Sequence, residues 1–86
     1  MEPFKVIIVE DVPLELKGTE GIFKNEIPEA EIIGTAESET SYWRLIKQQV
    51  PDLVLLDLGL GGSTTIGVEI CRQTKETYPA LKVLIF

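Results

Sequence analysis

Residues 51–58, P-D-L-V-L-L-D-L, place an uninterrupted apolar run directly before Asp57. Residues 5–11, K-V-I-I-V-E-D, repeat that arrangement and end in Glu10 and Asp11. A short, continuous run rich in β-branched residues or leucine is typical of a strand that is buried on both faces of a parallel sheet. If these two strands lie side by side, the three carboxylates meet at one edge of the sheet. There they repel one another unless they hold protons or a hard cation such as Mg²⁺.

The rest of the chain alternates strand and helix patterns around these two segments. Pro13 suits the first turn of a helix, and the later prolines end the helices that precede them. The pattern predicts strands over 5–9, 31–36, 53–57 and 82–86, and helices over about 13–27, 39–49 and 66–78. A βαβαβαβ order predicts an α/β fold with a parallel sheet, helices on both faces and right-handed crossovers. The doubly wound, flavodoxin-like strand order 2-1-3-4 puts the first and third strands together where the winding reverses, which is where such sheets bind ligands.

The spacing of apolar residues predicts which side of each helix faces the sheet. For the first helix the predicted core residues are Leu14, Ile22, Phe23 and Ile27. For the second helix, with Ser38 as its N-cap, they are Tyr42, Leu45 and Ile46, with Gln49 or Val50 as a further member. For the third helix they are Ile66 and Ile70, with Val68 or Thr74 as a further member.

The composition limits the function as well as the fold. The chain of 86 residues is long enough for one small domain, residues 1–86, and its net charge of −6 disfavours a nucleic-acid surface. A single cysteine, Cys71, and no histidine exclude an internal disulfide, a structural zinc site and a Cys/His nucleophilic pair. Neither a signal-peptide pattern nor a membrane-length apolar stretch is present. We therefore expect a cytoplasmic protein that binds neither nucleic acid nor membrane.

The glycine-rich segment G-L-G-G-S-T-T, residues 59–65, is predicted to be a loop. Its place between a strand and a helix would suit a nucleotide-binding loop. However, it lacks the lysine of G-x-x-x-x-G-K-[ST], and its glycines do not fit G-x-G-x-x-G. A phosphohydrolase with an aspartyl nucleophile usually has a second acidic residue two positions after the nucleophile. This chain has Gly59 there, which disfavours that class of enzyme. A flexible loop beside the acidic cluster is the favoured interpretation.

Taken together, segments 5–11, 51–58 and 82–86 (K-V-L-I-F) resemble, in order and spacing, a response-regulator receiver domain. The resemblance covers the whole chain, whereas the chain covers only the first part of that family's fold. It implies two-component signalling, in which Asp57 would be the phosphoacceptor and its acyl phosphate the signal.

The resemblance also implies a Mg²⁺ site around that aspartate. Asp11 would bind the ion directly and Glu10 through a water molecule. Asp57 and the backbone carbonyl of Gly59 would complete the protein ligands. Mg²⁺ prefers octahedral oxygen coordination, so this set leaves room for water and a phosphoryl oxygen.

The chain departs from the family pattern in three respects. Gly61 stands where the loop after the phosphoacceptor usually has a proline. The glycine that commonly opens the third helix is displaced by about two residues, to Gly67, which predicts a longer loop. The family's Ser/Thr after the fourth strand, the lysine ending its fifth strand and its last helix have no counterpart here. Lys82 begins a strand, so it lies at the wrong end to replace that lysine.

Two functions are therefore expected. The first is a receiver that accepts phosphate from a histidine kinase or phosphotransfer protein and signals by protein contact, catalysing at most its own phosphorylation. The alternative is a phosphorylation-incompetent, truncated receiver that acts as an interaction or dimerisation module. Because residues 82–86 would form an uncovered apolar strand edge, we expect a homo-oligomer, most simply a dimer, through that edge.

Overall fold

The computed structural model describes residues 3–86, in which strands and α-helices alternate. The elements are β1 (Phe4–Val9), α1 (Pro13–Glu26), β2 (Ala30–Ala36), α2 (Glu39–Gln48), β3 (Leu53–Leu56), α3 (Thr64–Thr77) and β4 (Lys82–Ile85), with a short 3₁₀ turn at Leu60–Gly62. The predicted order is confirmed, and most predicted ends agree to within a residue or two. Among these residues, no helix has the length and apolar character needed to cross a membrane.

The sheet has the order β2-β1-β3-β4, and every pair of neighbouring strands is parallel. This confirms the doubly wound, flavodoxin-like order 2-1-3-4. In the register of β1 with β3, Val9 lies opposite Leu56, so both strands end at the same level. The pairing continues one step further, because the Asp57 N–H donates to the Val9 carbonyl at 3.0 Å. Main-chain bonds therefore hold the residues that follow both strands at one edge of the sheet.

The central strand β1 is buried on both faces, as its continuous apolar run predicts. Val6 and Ile8 pack towards α1, whereas Ile7 and Val9 pack towards α2 and α3. None of these four residues exposes more than 1% of its surface. Successive side chains of a strand point to opposite faces, so only a strand covered by helices on both sides has this composition.

The predicted core face of α1 is partly wrong. Phe23 is buried and Ile27 packs beside it, but Leu14 and Ile22 are 82% and 60% exposed. Leu16 packs inward instead, and positions 16, 23 and 27 share one face of a helix at 3.6 residues per turn. The two glycines in the middle of α1 carry no side chain to mark a face, so the sequence left the rotation of this helix undetermined.

Helix α2 agrees with the sequence prediction except at its end. Gln49 and Val50, one of which was expected on the inner face, are both exposed, because the chain becomes extended at Gln49 and leaves the helical path. The Oγ of its N-cap, Ser38, accepts the Ser41 N–H at 3.2 Å, and the Ser41 Oγ accepts the Ser38 N–H at 3.1 Å. This reciprocal pair satisfies two otherwise free donors at the helix start. Tyr42 and Ile46 are buried in the core, and Leu45 packs against them.

Helix α3 begins at Thr64, two residues earlier than predicted, because Ser63 caps it and accepts the Thr65 N–H at 3.2 Å. Its buried Gly67 lies against the chain that follows β3. A Cβ at this position would lie 2.9 Å from the Leu58 carbonyl oxygen, closer than such atoms approach. The absence of a side chain at Gly67 therefore lets α3 pack directly beside the acidic edge of the sheet.

A buried hydrogen bond joins α2 to α3. The hydroxyl of Tyr42 and the Oγ1 of Thr74 lie 2.7 Å apart, and both residues are fully buried. Burial raises the pKa of Tyr42 to about 12, so the phenol stays neutral at physiological pH. The sequence left open whether Val68 or Thr74 joins the core face of α3. Thr74 does, because it is buried, whereas Val68 is 54% exposed.

This bond can be tested with Tyr42→Phe, Thr74→Val and the double variant. Each single change leaves one buried hydroxyl without its partner and should lower the free energy of unfolding by roughly 1–2 kcal/mol. The double variant removes both hydroxyls and should lose less than the sum of the two. Urea unfolding measures all four proteins, and strictly additive losses would show that the two groups do not interact.

Candidate functional site

Three acidic side chains converge at the carboxyl edge of the sheet. Glu10 and Asp11 follow β1, and Asp57 follows β3. Each offers a carboxylate oxygen, and these oxygens all lie within 4.8 Å of one another. The sequence predicted this juxtaposition from two separate apolar runs, and the register of β1 with β3 produces it.

Each carboxylate of this cluster accepts one main-chain hydrogen bond. The donors and acceptors are Val12 N–H to Glu10 Oε1 at 2.9 Å, Gly61 N–H to Asp11 Oδ2 at 3.1 Å, and Gly59 N–H to Asp57 Oδ1 at 2.9 Å. Two of these donors belong to the loop between β3 and α3. Backbone N–H groups carry only partial charge, so they orient the carboxylates without cancelling their mutual repulsion.

Glu10 is the most constrained member of the cluster. Only 1% of the residue is exposed, and its Oε2 has no hydrogen-bond partner among residues 3–86. Burial is the main reason why its pKa is raised to about 7, and the neighbouring Asp57 raises it further. The N–H of Val12 opposes this shift but does not overcome it. A buried carboxylate with one unpaired oxygen is an unfavourable arrangement unless a cation or a proton joins it.

The donor set fits a hard divalent cation. All three side chains supply carboxylate oxygens, which Mg²⁺ prefers, and the unpaired Oε2 of Glu10 is one of the buried atoms of the cluster. The carbonyl oxygen of Gly59, the remaining predicted ligand, accepts the Gly62 N–H at 2.9 Å. A carbonyl oxygen has two lone pairs, so this bond leaves one free.

The sequence did not predict the structure of the loop beside the cluster. Leu60 is almost fully buried, at 1% exposure, and starts the 3₁₀ turn. Gly61 and Gly62 both have positive φ, of 70° and 77°. The consecutive glycines were the available signal, because such backbone angles are costly for residues with a Cβ. A single leucine among glycines, by contrast, gave no indication that it would anchor the loop in the core.

An apolar cavity of about 750 Å³ lies at the opposite edge of the sheet. Phe4, Leu53, Tyr78 and Leu81 are among its lining residues, and none of the three acidic residues borders it. The acidic cluster is therefore separate from this cavity.

Comparison with known proteins identifies the family. Residues 6–86 match the response regulator receiver domain. The chain is also 30% identical over 84 residues to the methanol utilization control regulatory protein MoxX of Paracoccus denitrificans, an alignment that covers 98% of this chain and 37% of MoxX. The chain belongs to the response regulator receiver family, whose members act in two-component signalling.

Solved structures show the same fold. A LuxR-family two-component response regulator from Aurantimonas sp. SI85-9A1 superposes with a TM-score of 0.84 at 26% identity, over 99% of this chain and 59% of that one. The Salmonella typhimurium response regulator RcsB, described for its DNA interaction, superposes with a TM-score of 0.85 at 22% identity, over 99% of this chain and 42% of that one. The chain thus spans less than two thirds of the length of each of these relatives.

The raised pKa of Glu10 predicts how stability depends on pH without divalent cations. Its pKa is about 7 in the folded protein, against an ordinary value of 4.5, so the folded state binds the proton more tightly. The stabilisation is complete below pH 4.5 and is lost as pH rises through about 7, by roughly 1–3 kcal/mol. Urea unfolding in chelator across this range measures the loss.

The matched control for that experiment is Glu10→Gln, which keeps the shape of the side chain but does not titrate. This variant should lack the loss of stability between about pH 5 and pH 7, whereas the wild type shows it. The same pH dependence in both proteins would mean that other groups cause it.

Proposed function

We propose that the chain is a phosphoacceptor receiver in which Asp57 takes a phosphoryl group from a histidine kinase or phosphotransfer protein. The single observation that carries this proposal is the convergence of Glu10, Asp11 and Asp57 within 4.8 Å at the carboxyl edge of β1 and β3. Membership of the receiver family gives that convergence its functional meaning. The output would be a contact with another protein.

The side chains of Asp11 and Asp57, the Gly59 carbonyl and, through water, Glu10 would hold Mg²⁺. When bound, Mg²⁺ supplies positive charge that offsets the repulsion between the carboxylates and an incoming phosphoryl group. Asp11 and Glu10 contribute the negative charge that selects a divalent cation at this edge. The buried position of Glu10 supports this assignment, because a nearby cation would offset the cost of its unpaired Oε2.

Asp57 would act as the nucleophile. Its Oδ1 is oriented by the Gly59 N–H at 2.9 Å, and the residue is half-buried, so a donor can reach it. A carboxylate oxygen of Asp57 forms a bond to phosphorus as the bond between phosphorus and the leaving group breaks. With phosphohistidine as donor that bond is P–N, and the imidazole nitrogen leaves with the electron pair. With acetyl phosphate as donor, acetate leaves with the electron pair.

The decisive experiment incubates the protein with acetyl phosphate and Mg²⁺ and reads the intact mass. We expect one phosphoryl adduct that disappears in Asp57→Asn or when a chelator removes the metal. Asp52→Asn is the matched control, because Asp52 is an exposed aspartate before β3 that lies outside the cluster. An adduct that survives in Asp57→Asn would place the phosphate elsewhere, and no adduct would reject the proposed chemistry.

A second candidate, a dimerisation module, is favoured by the exposed side of β4. This strand pairs with β3, and no strand pairs with its other edge among residues 3–86. Leu84, Ile85 and Phe86 are 56%, 41% and 49% exposed. Unpaired apolar strand edges recruit other chains. The chain carries a net charge of −6, whereas residues 82–86 contain no acidic residue, so this segment is a favourable place for two copies to meet.

We expect the protein to be a dimer by size-exclusion chromatography with light scattering, and Leu84→Lys to shift it towards monomer. The added charges would face one another at a β4–β4 contact. Leu14→Lys, at an 82% exposed position on α1, is the control and should leave the dimer intact. A monodisperse wild-type monomer would reject this second candidate and leave the phosphoacceptor proposal unaffected.

A further inference from the structure

One hydrogen bond connects the two loops that form the acidic edge. The Gly61 N–H donates to Asp11 Oδ2 at 3.1 Å, although the two residues are 50 positions apart in the chain. Asp11 follows β1, whereas Gly61 lies in the loop between β3 and α3. This contact is therefore formed only when both strands are paired and the loop is folded.

The backbone at Gly61, the residue that donates to Asp11, is left-handed. Its φ is 70°, and a Cβ at this position would lie 2.9 Å from Ile66 Cδ1. A residue with a side chain would be strained here, and it would also press on the first turn of α3. Glycine at 61 is thus required by the conformation that presents the N–H.

The rest of the turn holds that N–H in place. Leu60 is buried in the core, and its N–H donates to the Asp57 carbonyl at 3.2 Å. The Gly62 N–H donates to the Gly59 carbonyl at 2.9 Å. These bonds fix the loop on both sides of Gly61, so its N–H is directed before any cation arrives.

We propose that Gly61 is a positioning residue, whose N–H holds the Asp11 carboxylate in the cluster in the orientation that binds a divalent cation. Without this bond, repulsion from Glu10 and Asp57 would favour rotation of Asp11 away from them. A carboxylate has several lone pairs and one N–H uses only one of them, so Asp11 can still bind a cation. The metal-binding half of this inference rests on the proposed function.

The test replaces one backbone amide by an ester in the chemically synthesised full chain. Gly61→glycolic acid removes the N–H and retains a residue without a side chain. The matched control, Gly62→glycolic acid, removes a donor from the same turn that bonds Gly59 and not Asp11. Partners in the outer shell of a metal site typically change affinity by 10-fold or more. We therefore expect Mg²⁺ binding, measured by calorimetry, to weaken by about tenfold in the Gly61 ester and to change much less in the Gly62 ester.

A double-variant cycle shows whether the effect passes through Asp11. In an Asp11→Ala background the Gly61 ester should lower the metal-free free energy of unfolding by less than it does in the wild type, because its hydrogen-bond partner is gone. Equal losses of Mg²⁺ affinity for the two esters, or an undiminished loss of stability in Asp11→Ala, would overturn the inference.

A metal-free measurement separates this inference from the proposed function. In the amide NMR spectrum, Asp11→Ala should move the Gly61 proton upfield and speed its exchange with solvent, whereas Asp57→Asn should leave both largely unchanged. An unchanged Gly61 signal in Asp11→Ala would refute the positioning role even if Mg²⁺ binds. If the wild type binds no Mg²⁺ but the Gly61 signal responds as expected, the proposed metal site is rejected. The conclusion that the Gly61 N–H orients the Asp11 carboxylate would still hold.

Discussion

The parallel pairing of β1 with β3 is the constraint on which the rest of the site depends. Because Val9 lies opposite Leu56, Glu10 and Asp57 leave the sheet at the same level, and the Asp57 N–H still bonds the Val9 carbonyl. A shift of one residue in this register would separate the acids and also turn β3's side chains to the opposite faces. The same pairing therefore fixes the hydrophobic core and the position of the carboxylates.

The acidic cluster lowers the stability of the folded protein, whereas the pairing of β1 with β3 raises it. Glu10 is held almost without solvent, with one oxygen unpaired, next to another carboxylate. A core of the same shape without that charge would be more stable, since buried unpaired charge is costly. Such local cost is typical of sites that bind a charged ligand, and the protein tolerates it because β1 is buried on both faces.

Sequence patterns predicted the features that follow from strand composition, and missed those that depend on packing. The apolar runs before Glu10 and Asp57 gave the strand order and the cluster, since a strand buried on both faces has a distinctive composition. The predicted rotation of α1 was partly wrong because Leu14 and Ile22 resemble core residues, and only contact with the sheet selects Leu16 in their place. The loop after β3 could not be predicted, because its shape comes from tertiary contacts that no local pattern records.

Main-chain N–H groups of Val12, Gly59 and Gly61 donate hydrogen bonds to the three carboxylates. A main-chain donor is present in every residue except proline, so most substitutions leave it in place. Mutation can therefore vary the side chains of these loops while the anchoring of the acids persists. Gly61 is the exception, because its left-handed backbone restricts the choice of residue. The anchoring of the three carboxylates is in this sense robust to mutation, and Gly61 is the one of its three donors that few other residues could replace.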